Sequence, residues 1–175
     1  SRPLATYRIM VDNFNEKADF IWSIADLLRG DYKQSEYQKV ILPLTVLRRL
    51  DCVTERNKDE VLKRYEQLQK QGIKNVAPSL KKAADAEVYN TSEYTFESLC
   101  NDPDDIAENL QYYINQYDDE TTEIFDKFDF NHQIQRLNDA DILYQTVRQF
   151  AEIDLHPDEV PNEEMGYIYE ELIRK

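Results

Sequence analysis

Carboxylates dominate the residues of this chain that could do chemistry. They number 35 in 175 residues and include the runs Asp104/Asp105, Asp118/Asp119/Glu120, Glu163/Glu164 and Glu170/Glu171. Paired carboxylates can move protons or hold a cation. At this density, however, pairs arise from composition alone. Asp104/Asp105 and Glu163/Glu164 also fall where a first helical turn favours negative charge. A calcium loop requires glycine at its sixth position. Counted from Asp118 that position is Glu123, and counted from Asn138 it is Leu143. The two histidines, His132 and His156, and the two cysteines, Cys52 and Cys100, lack metal-ligand spacing. Neither histidine has a nucleophile near it in sequence. Cys52 lies in an apolar stretch and reads as a small core residue, with a Cys52–Cys100 disulfide as the alternative to two reduced thiols. Only three glycines are present, which excludes a glycine-rich phosphate loop. No catalytic, cofactor-binding or metal-binding residue is assigned.

The charge is uneven. The chain carries −14 overall, with −1 over residues 1–32, +6 over 33–82 and −19 over 83–175. Non-specific DNA affinity is mostly phosphate neutralisation, so the overall charge opposes it. Any DNA contact must come from the basic segment. The candidates there are Arg48, Arg49, Arg56, Lys63, Arg64, Lys81 and Lys82. Their alternative role is a solvated helix face or an intrachain ion pair, for instance of Arg48 or Arg49 with Asp51 or Glu55. The twelve tyrosines could stack on bases, but Tyr112/Tyr113 and Tyr167/Tyr169 sit where one partner faces a core.

The elements that must position these residues are helices. Asn13 as N-cap and Glu16 three residues on predict a helix over 14–29, with the stripe Phe20, Ile21, Ile24, Leu27, Leu28 and a terminator at Gly30. Residues 34–55 are apolar on nearly all sides, which predicts a central helix. Pro43 predicts a kink or break within it. Further helices are expected over 58–71, after Pro78, over 104–117, 120–128 and 139–152, and from Asn162 onward. A short extended piece is expected at Tyr94–Phe96, and 131–137 is ambiguous. The fold class is all-α, an irregular bundle of about six to eight helices with at most a short β-hairpin. It occupies 1–175 as one domain. No apolar run approaches the ~20 residues of a membrane span, and the polar start around Pro3 lacks a secretory h-region. The expected home is the cytoplasm. The last helical pattern ends at Arg174-Lys175 without a stop signal, as a cut inside a longer chain would.

Three stretches resemble one family. Residues 13–54, NFNEKADFIWSIADLLRGDYKQSEYQKVILPLTVLRRLDCVT, are similar to the opening of the modification (methyltransferase) subunits of type I restriction–modification systems. Residues 89–99, YNTSEYTFESL, and Phe130-Asn131 are similar to their middle. Residues 154–175, DLHPDEVPNEEMGYIYEELIRK, resemble the segment just before the catalytic domain. The resemblance implies a helical N-terminal domain of an adenine-N6 DNA methyltransferase subunit. It implies S-adenosylmethionine as cofactor of the full-length subunit and none in this piece. The implied partners are a specificity subunit, a second modification subunit, optionally a restriction subunit, and double-stranded DNA, with a clamp-and-docking role for this domain. The family's Asn-Pro-Pro-Phe-type catalytic motif is absent. Asn101-Asp-Pro103-Asp104 lacks the second proline and the aromatic, so it is assigned to a turn. An acidic protein-interaction module is the alternative reading.

Overall fold

The computed structural model describes residues 15–174. Among them are ten α-helices, more than the six to eight expected, and no strand. Two isolated bridges, Arg29 with Tyr32 and Asn90 with Tyr117, stand in place of a hairpin. The predicted cap at Asn13 and the start at Phe14 lie outside the described residues.

The first helix, α1, covers 15–23, and a 3₁₀ turn, Ile24–Leu28, follows it. A single helix to residue 29 was expected. The Ser23 hydroxyl donates to the Phe20 carbonyl at 2.6 Å, a local competitor for the backbone ladder where the winding tightens. Gly30 has φ +95°, the left-handed conformation its terminator role requires.

Helix α2, Gln38–Glu55, runs unbroken through Pro43. Pro43 is in the second turn, so the carbonyl it leaves without a donor is that of Lys39, close to the helix start. Val40, Ile41, Leu44 and Leu47 are fully buried along one face of the helix. It packs against α8 (Phe130–Asp139), α9 (Leu143–Ala151) and α10 (Asn162–Arg174). Helix α6, Ile106–Asn115, lies against α7 (Asp119–Lys127), α8 and α9. The ambiguous stretch 131–137 is thus the middle of α8. Its inward positions are Phe130, Gln133, Ile134 and Leu137, and Gln133 accepts a 2.9 Å hydrogen bond from the Tyr32 hydroxyl. One polar residue in that stripe masked its period.

Of the extended piece expected at Tyr94–Phe96, Thr95 is extended, and it is the N-cap of a one-turn helix, α5 (Phe96–Leu99), which begins at Phe96. Thr95 accepts from the Ser98 amide at 3.1 Å, and the Ser98 hydroxyl accepts from the Thr95 amide at 2.9 Å. This is a reciprocal cap with serine in the usual place of glutamate or glutamine. Cys52 and Cys100 are free thiols, the former buried in the core, so the disulfide alternative is not realised.

Helices α3 (Lys58–Lys70) and α4 (Ala77–Ala84) stand apart from this body as a hairpin. They pack mainly on each other. They close over a small core of their own, Val61, Leu68, Leu80, Ala84 and Tyr89, separate from the main cluster. Gly72, at φ +69°, ends α3, and the Ile73 amide reaches back to the Leu68 carbonyl at 3.0 Å.

Candidate nucleic-acid interface

The hairpin is the basic part of an acidic molecule. Residues 56–86 hold eight Lys/Arg against four Asp/Glu, on a chain of net charge −14. Its placement depends on a buried polar junction at its root. Asp51 of α2 accepts from Arg48 Nη1 at 2.7 Å, from the Tyr113 hydroxyl at 2.8 Å and from the Phe96 amide at 3.2 Å. The Tyr113 proton is committed to Asp51. Tyr117, 2.5 Å away, therefore donates to the Tyr113 hydroxyl. Burial pushes the Asp51 carboxyl up, against the pull of Tyr113 and Arg48, and raises both tyrosines well above the ordinary phenol range. Lys58, the first residue of α3, lies over the Tyr113 ring with Nζ 5.8 Å from its centroid, and burial lowers it to about 8. Asn57 Nδ2 donates to the Ala84 carbonyl at 2.8 Å and ties the two ends of the hairpin together. These groups spend their hydrogen bonds on one another, which fits them for holding α3 in place.

The seven basic candidates separate into three groups. Arg48 and Arg49 are not at a surface. They are 9% and 5% exposed, and both guanidinium groups are spent inside the chain. Arg48 donates to Asp51 and to the carbonyls of Ile153 and Ala151. Arg49 donates to the carbonyls of Leu155 (2.8 Å) and Val160 (2.5 Å) and to Asn162 Oδ1 (2.9 Å). Their placement among the phosphate candidates is corrected here, because a buried cation with its donors already committed has none to offer a phosphate. The ion-pair alternative holds for Arg48 through Asp51. Arg49 instead binds backbone carbonyls of a distant segment, which helix spacing gives no means of anticipating. Lys81 is tied to Glu87 at 3.1 Å, a hydrogen bond that raises its pKa.

The rest are exposed on the arm or at its root: Arg56, Lys63, Arg64 and Lys82. Arg64 of α3 and Lys82 of α4 line one groove, with Pro78, Ser79 and Ala83 completing its lining and no carboxylate among these residues. Arg64 donates to the neutral Gln67 at 3.1 Å, and among the described residues no carboxylate forms an ion pair with it. Lys63 points the other way, into a groove shared with Tyr65, Tyr94 and Tyr112. Tyr112 is 50% exposed while its neighbour Tyr113 is fully buried, the division expected of that pair. Glu66 and Glu93 also line it, so this groove has no single sign of charge. The signal missed in the sequence is Ser79. It lies three residues before Lys82 and so comes to the same helix face, a spacing that was available.

Neither a curated protein nor a solved structure matches the chain. The sequence profile of the HsdM N-terminal domain family does match, over residues 17–150. That span includes α2 and the whole α3–α4 hairpin and stops within α9. The chain therefore belongs to the HsdM N-terminal domain family, the N-terminal domain of the modification subunit of type I restriction–modification systems.

Proposed function

We propose that this domain is a clamp and docking module of an adenine-N6 DNA methyltransferase subunit, and that its α3–α4 hairpin contacts DNA phosphates. The observation that supports this most directly is the pair Arg64 and Lys82, in one groove with no carboxylate, on a protein otherwise strongly acidic. Phosphate contacts position a protein on a duplex without reading sequence. The role suits a domain whose complex delegates base recognition to a specificity subunit. The second modification subunit, an optional restriction subunit and S-adenosylmethionine belong to the same proposal for the full-length protein, as does a cytoplasmic location. Among the described residues no helix is long and apolar enough to cross a membrane.

The test is the salt dependence of DNA binding by the assembled modification complex carrying R64E and K82E. Affinity should fall alike on specific and unrelated duplexes. The slope of log K against log salt should flatten by about two units, one per lost phosphate contact. A slope equal to that of the unaltered complex would refute the assignment.

A second reading has its own observation. Asp102, Asp104 and Glu108 crowd Asp105 closely enough that Asp102, foremost, raises its pKa. The amino-terminal end of α6 is thus a concentration of unneutralised negative charge. That suits docking against a basic protein surface, which the interaction-module reading requires.

A further inference from the structure

Residues 152–161 form a strap that leaves α9, crosses the second half of α2 and delivers the chain to α10. Three apolar side chains, Ile153, Leu155 and Val160, anchor it in the core. Arg48 and Arg49 hold its carbonyls from beneath. Its outer edge is fastened differently. His156 Nδ1 faces Asp154 Oδ1 at 2.7 Å, and His156 Nε2 faces Glu55 Oε2 at the end of α2. The His156 amide also donates to Asp154 Oδ1 at 3.0 Å. The His156 carbonyl accepts from the amides of Glu159 (3.0 Å) and Val160 (2.8 Å), closing the turn of the strap.

A neutral imidazole has one N–H, and an ionised carboxylate only accepts. An imidazole with a carboxylate oxygen at each nitrogen is satisfied only as the doubly protonated cation. We propose that His156 is a proton-operated latch: protonated, it fastens the strap to the carboxyl end of α2, and deprotonated, it releases one of its two carboxylates and loosens the turn at 156–160.

The surrounding charges are consistent with the cationic form. Burial works against it, but the bonds to Glu55 and Asp154 raise the pKa of His156 above the ordinary imidazole value. Burial likewise opposes ionisation of Asp154, yet His156 and then Lys17 hold it below the usual carboxylate range. Lys17, from α1, donates to the Asp154 carbonyl at 3.3 Å and lies 3.9 Å from Glu159. From α2 the strap meets Arg48, Arg49, Asp51, Cys52 and Glu55. Arg48 and Asp51 are paired, and burial pushes the Cys52 thiol up to about 11. From α10, Tyr169 lies near Arg49, and burial raises it to about 12. His156 is the group of this set whose charge changes near neutrality.

The test is amide hydrogen exchange of the whole chain at pH 6 and pH 8.5, corrected for intrinsic rates. The amides of Glu159 and Val160 report on the turn, and those of α6 report on the body. In the unaltered chain, protection of the two strap amides should fall roughly two- to tenfold from acid to alkaline pH, the range of one or two exposed ion pairs, while α6 stays constant. In H156Q protection should be low at both pH values. In E55Q, whose amide can donate to an unprotonated Nε2, the pH dependence should shrink. Strap protection that is independent of pH in the unaltered chain would overturn the latch. So would a fall that survives in H156Q.

Discussion

Arg49 gives the sharpest test of whether a cation of this basic segment faces nucleic acid or the protein's own backbone. The perturbation is Arg49→Met, which keeps the length and apolar stem of the side chain but removes its donors. Two carbonyls, Leu155 and Val160, and the Asn162 side chain then lose charge-assisted partners at a site only 5% exposed. A hydrogen bond to a charged group contributes roughly 1.5–3 kcal/mol, and a buried acceptor left without a partner costs about 1–3 kcal/mol. Against this, methionine avoids the desolvation cost of the guanidinium, a burial cost strong enough to lower the pKa of Arg49 itself. The balance is a destabilisation of about 2–4 kcal/mol. For a domain of this size that lowers Tm by roughly 5–15 °C.

Urea and thermal unfolding of the isolated chain measure the loss, and the salt slope of DNA binding in the complex measures the competing role. The expected outcome is a large stability loss with an unchanged slope, the reverse of the result for R64E with K82E. If R49M unfolds within about 0.5 kcal/mol of the unaltered chain, the size of an ordinary surface change, and flattens the salt slope, Arg49 reaches solvent and the assignment fails.

Two further perturbations probe the hairpin and its root. Lys58 has a folded pKa of about 8 against an ordinary 10.5, so the unfolded chain binds more protons between these values and stability rises with pH across that window. The cost of burying the charge is fully present below pH 8 and amounts to at most about 3 kcal/mol. Lys58→Met should therefore raise stability at pH 7 relative to the unaltered chain, with the two curves converging toward pH 10; parallel curves would mean that Lys58 stays hydrated. Leu80→Ala should cost about 2–5 kcal/mol locally, because Leu80 is fully buried in the hairpin's separate core. Amide exchange should quicken throughout α3 and α4 while α2 and α6 keep their protection, and an equal loss in all four would show the arm and body unfolding as one unit.

Most of the bundle was legible because its helices announce themselves by period. The stripe Val61, Leu62, Tyr65, Leu68 gives α3, and Ile142, Leu143, Val147, Phe150 gives α9, each within a few residues of the observed bounds. What escaped was set by side chains in unusual roles. Ser98 closes a cap where glutamate or glutamine is the familiar signal, and so α5 resembled an extended strand. Gln133 occupies an inward position of α8 because Tyr32, about a hundred residues away, donates to it. The scarcity of glycine pointed away from tight turns, yet Asp85, Asp129 and Asp141 take the left-handed conformation at helix junctions. Aspartate tolerates that region because its short side chain bonds locally. An excess of aspartate thus serves partly as turn chemistry. Of the interface, the basic segment was visible in the charge count, but its division was not. Whether an arginine in a basic run points inward depends on carbonyls supplied by a strap about a hundred residues later.

That division leaves a strongly acidic domain with exposed cations on one arm, the feature on which the proposed DNA contact rests. An exposed cation two helix turns from a carboxylate is screened by it, and a net charge of −14 would repel a polyanion at long range. Three features counter this. The main body buries Arg48 and Arg49 against carbonyls and one aspartate, so their bonded N–H groups are not offered at the surface. The hairpin holds Arg64 and Lys82 on a small core of its own, while its Lys81 is paired with Glu87 and also feels Glu120 of α7. At about 8 Å of Debye screening in physiological salt, carboxylates more than a helix diameter away weigh little on an exposed cation of the arm. Under the proposed phosphate contact, repulsion by the body restricts a duplex to the side of the arm.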